Sequence, residues 1–150
     1  MIVRRPGMGM RDVLETAELT LEEGLAGDSW RDGTHPNLDM QINIMNARAI
    51  ALVARERDRW PLAGDQLYLD LDLSTANLPP GTQLAVGTAI VEITPIPHNG
   101  CFKFSSRFGA EATRFVNSPH GKDLHLRGLN ARVVKPGTVA IGDVARKVTR

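Results

Sequence analysis

Cysteine is almost missing from this chain: Cys101 is the one thiol in 150 residues. A single thiol makes no internal disulfide, so the fold is expected to need no cross-link, and a reducing, cytoplasmic setting suits it. Aromatic residues are also few, at 5%, and the net charge is only +1. Both argue against a nucleic-acid partner, which calls for a basic face and stacking side chains. No apolar run approaches the ~18 residues of a membrane span. The N-terminal Met-Ile-Val-Arg-Arg-Pro-Gly lacks the apolar core of a signal peptide, so no membrane partner is expected either. The length suits a single domain over 1–150, and a chain of this size buries about 68–70% of its unfolded surface. Residues 1–11, rich in Gly, Arg and Met and without a period, read as a loose or docking arm.

The small net charge hides an uneven distribution. Between Asp12 and Asp28 every charged residue is acidic, whereas the stretch 98–135 holds Lys103, Arg107, Arg114, Lys122, Arg127, Arg132 and Lys135 against Glu111 and Asp123. Cys101 sits in this basic half, after Pro95, Pro97, Asn99 and Gly100, residues that break regular structure and place it on a loop. Nearby cations and a helix N-terminus lower a thiol pKa and favour the thiolate, the form that attacks and that ligates metals. A helix is expected to start at Ser105 or Ser106. The alternative reading is a buried cysteine packed as a small hydrophobe.

Taken in order, residues 11–23 are ambiguous between helix and strand, and Gly24 to Asp28 make a turn. Residues 29–40 form a polar loop with exposed Trp30 and His35. Residues 41–44 alternate as a strand. Asn46 then caps a helix whose apolar face is Ala47, Ile50, Ala51 and Ala54, with Pro61 as its stop. Residues 67–73 alternate again, leucines to one side and Tyr68, Asp70 and Asp72 to the solvent side. Pro80-Gly81 and Pro136-Gly137 each read as a type II turn leading to a strand, with further strands at 89–94, 131–134 and 144–148. Residues 106–116 read as one short amphipathic helix carrying an Arg107/Glu111 pair, and Ser118-Pro119 as the start of another helix. Short strands at close spacing indicate an antiparallel meander. The fold class is therefore mainly β with short helices, a closed or partly closed β-barrel.

In this order, Gly24-Leu25-Ala26-Gly27-Asp28, the strand 41–45 with its helix, Gly64 to Leu73, Gly87 to Thr94 leading to Cys101, and Arg127-Gly128…Ala131-Arg132-Val133-Val134…Gly137…Gly142-Asp143 resemble the MOSC domain. The resemblance covers residue 17 to the C-terminus. It implies a barrel of the pyruvate-kinase barrel-domain type and a link to the molybdenum cofactor, molybdopterin, a pterin with a dithiolene and a phosphate. In that family the cysteine matching Cys101 is thought to ligate molybdenum or to carry sulfur. The resemblance thus implies Cys101 as metal ligand or nucleophile, with Lys103, Arg107, Lys122 and Arg127 as anion contacts and His98, His120 and Asn99 as polar or acid/base groups. Two departures stand out, Asn99-Gly100-Cys101 where many relatives have Pro-Cys, and Gly64-Asp65-Gln66 where many have Gly-Glu-Asn. The chain carries no pyridoxal-dependent sulfurase domain, ferredoxin-like domain or second cysteine, so a sulfur or electron donor would be a separate protein. Three functions follow: a cofactor-binding or sulfur-carrying module, a molybdenum-dependent reductase of N-hydroxylated compounds, and a non-catalytic interaction domain.

Overall fold

The computed structural model describes residues 1–148. In chain order its strands and α-helices are β1 (Ile2–Arg4), β2 (Asp12–Leu14), β3 (Thr16–Thr20), β4 (Gly24–Leu25), β5 (Ile42–Asn46), α1 (Ala47–Ala54), β6 (Leu67–Leu69), β7 (Gln83–Val86), β8 (Ala89–Ile93), α2 (Phe102–Phe108), α3 (Ala110–Asn117), α4 (Pro119–Asp123), β9 (Leu129–Lys135), β10 (Gly137–Ala140) and β11 (Arg146–Lys147). An eight-stranded sheet runs β11-β7-β8-β9-β5-β6-β1-β2, and a small sheet runs β10-β3-β4. The chain steps between the sheets at β2–β3, β4–β5, β9–β10 and β10–β11, and the large sheet is curled into a half-barrel. The fold is mainly β with short helices, as the strand spacing predicts. Among the described pairings only β5 and β6 run parallel, and α1 is their crossover. No helix among the described residues is long and apolar enough to cross a membrane.

Period-two alternation sorts the strand residues between two cores. Ile2, Ile42, Ile44 and Leu67 point into the barrel, where Leu19, Leu25, Leu84, Val91 and Ala131 meet them. Val3, Met45 and Tyr68, their neighbours in sequence, point outward and are covered by α1, the turn Arg57–Ala63 and Phe104 of α2. Several sequence expectations change for this reason. Tyr68, expected on a solvent face with Asp70 and Asp72, is buried, and its hydroxyl donates to the Trp60 carbonyl at 2.8 Å. The regular strand there ends at Leu69 rather than at residue 73. Of the expected loose arm 1–11, Ile2–Arg4 form β1, paired with both β2 and β6, and residues 5–11 are a connection without regular structure. Residues 11–23 resolve into β2 and β3, because pairing across the sheets outweighs their helix propensity.

Local chemistry explains the remaining ends. Asn46 caps α1 as expected, accepting from the amides of Arg48 and Ala49. The helix stops at Ala54, where Arg55 takes φ 64°, so Pro61 belongs to the following 3-10 segment and is not the stop. Pro80-Gly81 forms its turn, with Gly81 at φ 88° and the Thr82 amide bonded to the Pro79 carbonyl. Pro136-Gly137 forms none. There the chain passes straight from β9 into β10, and a Cβ on Gly137 would lie 2.6 Å from the Ala89 nitrogen.

Gly128, just before β9, has φ 115°, and a Cβ on it would lie 2.3 Å from the Ile44 carbonyl oxygen. Both the left-handed backbone and the clash with fixed β5 oppose a side chain. Gly128→Ala is expected to cost more than about 3 kcal/mol in urea unfolding, and a loss under 1 kcal/mol, on the order of a surface change, would contradict this packing.

Candidate functional site

β8 delivers the chain to a segment with little hydrogen-bonding freedom. Pro95 and Pro97 have no amide proton, and the Ile96 carbonyl between them accepts from Asn130 Nδ2 at 3.0 Å. Asn117 at the end of α3 then clamps Gly100 at both ends of its backbone: the Gly100 amide donates to Asn117 Oδ1 and Asn117 Nδ2 donates to the Gly100 carbonyl, each at 2.8 Å. Cys101 follows as the residue preceding α2, exposed to solvent, its carbonyl accepting from the Ser105 amide. The helix therefore starts at Phe102, before the expected Ser105 or Ser106. Gly109, at φ 92° and ψ 162°, divides the expected single helix 106–116 into α2 and α3, so Arg107 and Glu111 do not share a helix. Ser118 caps α4 as the sequence suggests, its hydroxyl accepting from the Gly121 amide.

Beneath the thiol lies a buried ion pair. Arg127 Nη1 contacts both oxygens of Asp65, at 3.1 and 2.8 Å, and its Nη2 donates to the Ala63 carbonyl. Its guanidinium carbon stands 4.9 Å from the centre of the Phe104 ring, so the cation also supports α2 from below. Burial raises the Cys101 thiol, and the backbone amides of Phe104 and Lys103 with the charge of Arg127 more than offset it, leaving the pKa below the ordinary value. His98 Nδ1 lies 3.5 Å from Asp65 Oδ1. Burial lowers the imidazole to about 4, Arg127 and Arg5 push the same way, and Asp65 only partly restores it. His98 is therefore neutral at pH 7. Its Nδ1 and Arg127 Nε are buried polar atoms without a hydrogen-bond partner.

A polar network continues from this pair across the outer face of the sheet. Arg5 chelates Asp28 and donates to the Asn43 side chain and the Gly64 carbonyl. Asn43 bonds Asn130, and Gln66 bonds the backbone of Asn43 and of Gln41. Asp28, Asn43, Asp65, Gln66 and Asn130 are all buried.

Beside the network opens a cleft of about 400 Å³, walled by Leu78, Ile93, Pro95, Ile96, Pro97, Val116 and Leu129. His98, Asn99, Lys122 and Arg127 all line it, so the fold brings together four of the expected contacts. Cys101 lies two residues beyond Asn99 and is not itself in the lining. Lys103 and His120 are exposed on α2 and α4, outside the lining, and Arg107 turns away to donate to the Leu62 carbonyl at 2.8 Å. Arg127, expected as a free anion contact, has most of its charge already met by Asp65. His125 and Thr75 join the lining unforeseen. His125 Nδ1 is 2.6 Å from the Leu73 carbonyl, which can only accept, so Nδ1 carries a proton and Nε2 faces Thr75 Oγ1 at 3.5 Å. No pattern in the sequence discloses its place in the lining.

The depressed His98 pKa carries a sign. An imidazole whose pKa falls from 6.5 unfolded to about 4 folded binds fewer protons in the native state between those values, so stability falls as pH drops through that window. From pH 7 to pH 5 this amounts to about 2 kcal/mol. In urea titrations His98→Gln is expected to lose about that much less than the parent over the same range, and an unchanged acid sensitivity would contradict a buried neutral His98.

No protein-family model and no curated protein sequence matches this chain. Solved structures do. YiiM from Escherichia coli matches at a TM-score of 0.65 and 22% identity, over 99% of this chain and 68% of that one. YiiM from Geobacillus stearothermophilus gives 0.66 and 16%, over 99% and 73%. YuaD from Bacillus subtilis gives 0.61 and 17%, over 95% and 90%. YiiM and YuaD are MOSC-domain proteins, and the chain shares their fold, a MOSC-like β-barrel.

Proposed function

We propose that this chain is a MOSC-type module that binds the molybdenum cofactor in the cleft and presents Cys101 to the metal. The observation that carries the reading is the placement of Cys101: an exposed thiol, shifted toward thiolate, held by the Gly100–Asn117 clamp two residues from a residue of the cleft wall. The donor set fits such a group. Among the described residues no three His, Cys, Asp or Glu side chains gather as a metal cage, so a metal here needs a carrier that brings its own ligands. A dithiolene is such a carrier, and the Cys101 thiolate is a soft ligand that would join it at the metal. The apolar walls suit a flat pterin ring, and Lys122, on the rim, suits its phosphate. When bound, the cofactor would supply oxygen-atom or electron transfer at the metal. The chain would supply the anchoring thiolate, a neutral His98, and His125 in the cleft wall.

The exposure of Cys101 favours a second reading, sulfur carriage. A thiolate at the surface can attack the outer sulfur of a donor protein's persulfide, forming a Cys101 persulfide and releasing the donor's thiolate, with no net redox change. A reductase of N-hydroxylated compounds is the enzymatic form of the first reading.

Expression in a host that makes the cofactor tests these readings. The parent is expected to hold molybdenum and pterin, and Cys101→Ser to lose the molybdenum; equal molybdenum in both would remove Cys101 as ligand. Sulfane sulfur on Cys101 in metal-free protein selects the carrier reading.

The lowered thiol pKa is tested separately by alkylation. The pH midpoint of iodoacetamide modification of Cys101 is expected to lie below that of the same thiol in denaturant, because the folded state favours the thiolate. A native midpoint at or above the denatured one would contradict the electrostatics described.

A further inference from the structure

Arginines that reach into this protein usually meet a carboxylate. Arg5 has Asp28, and Arg127 has Asp65. Two neighbours of theirs have none. Arg11 and Arg107 are half-buried, and among the described residues neither belongs to an ion pair. Both are nonetheless fixed in place. Arg11 Nε donates to the Pro61 carbonyl at 3.1 Å and Arg107 Nη1 to the Leu62 carbonyl at 2.8 Å, so two consecutive carbonyls hold the two guanidiniums side by side. Arg59 Nη2 donates to the Arg107 carbonyl and secures the end of α2.

Gly64 lies between the two forks, at φ 87°. A point at the position of a Cβ on Gly64 is 3.5 Å from Arg11 Nη2 and 3.8 Å from Arg107 Nη1. Donors from both side chains thus converge over one small volume. Their proximity is costly when nothing negative stands between them: burial lowers the Arg11 pKa, and Arg107 and Arg5 lower it further, against weaker opposition from Tyr68 and Asp28. Asp28 is in any case held on both oxygens by Arg5.

We infer that Arg11 and Arg107 form an oxyanion site over Gly64 that takes a phosphate-type dianion and is separate from the cleft lined by Lys122 and His125. Carbonyls of Pro61 and Met10 hold Arg11 Nε and Nη1, so its Nη2 is left facing Gly64 beside Arg107, and two fixed positive charges there match the charge of a phosphate dianion better than that of a monoanion. The ligand is inorganic phosphate or the phosphate group of a small phosphomonoester. The site stands on its own geometry and does not depend on the cofactor reading.

The test is a titration of inorganic phosphate into the full chain at constant ionic strength, followed by backbone amide NMR and thermal unfolding, with chloride as the control. Saturable shifts are expected at Gly64 and Arg107, together with a melting temperature that rises with phosphate. Arg11→Gln and Arg107→Gln are expected to weaken the affinity about tenfold or more, while Lys135→Gln, which removes an exposed charge outside both the site and the cleft, binds phosphate as the parent does. Arg11→Lys and Arg107→Lys keep the charge and lose the fork, and serve if a glutamine variant does not fold; a several-fold loss is expected. Affinity unchanged in all of these arginine variants would overturn the site, as would shifts that saturate at Lys122 and His125, or an equal response to chloride. A phosphomonoester that binds tighter than phosphate in the parent, and loses that gain in Arg11→Gln, identifies a phosphorylated small molecule. The reverse order identifies free phosphate.

Discussion

The ion pair between Asp65 and Arg127 is the contact on which the candidate site depends. It joins four pieces of chain far apart in sequence: the turn after Ala63, the segment holding His98, helix α2 through Phe104, and the start of β9. A buried pair of this kind contributes little net stability over a well-packed apolar substitute, yet removing one partner leaves a charge with nowhere to go. Its worth here is positional. It requires the chain to bring α2 over the sheet in one way, and it places a positive charge under the thiol while keeping that charge out of solvent. His98 is kept neutral chiefly by its burial, and Arg127 in the same cluster works against the carboxylate of Asp65, which only partly restores the imidazole pKa.

Much of the fold was legible because strand alternation and caps are local. The Asn46 and Ser118 caps, the Gly81 turn and the strands of the meander all follow from residues a few positions apart. What failed needed knowledge of the second face of the sheet. Tyr68, Asp70 and Asp72 alternate with leucines in a way that ordinarily marks a solvent face, but α1 and the turn after it cover Tyr68. Gly109 falls inside the expected helix 106–116, whereas its φ of 92° separates two helices.

Part of the lining of the candidate cleft was legible in the sequence, and its support was not. His98, Asn99, Lys122 and Arg127 converge, as the charge excess after residue 98 suggested. Lys103 and His120 are in the same basic stretch but on outward surfaces, since sequence proximity does not choose a helix face. Asn43 stands at a position that alternation along 41–44 assigns to solvent, and its hydrogen bond to Asn130 lets both side chains be buried, as the pairing with Arg127 does for Asp65. A single sequence offers no sign that an Asn in one strand will find an Asn in another.

The small sheet has a temporal consequence. β3 lies between β4, its immediate successor, and β10, which comes almost at the end of the described chain. While the protein is being synthesised, β3 and β4 must wait as an unfinished two-stranded ribbon, one edge open, until the chain as far as Gly137–Ala140 has left the ribosome. Such long-range closure slows folding and exposes a strand edge in the meantime. The run of acidic residues from Asp12 to Asp28, which flanks and includes that ribbon, keeps the waiting edge charged and so discourages it from pairing with a neighbouring nascent chain.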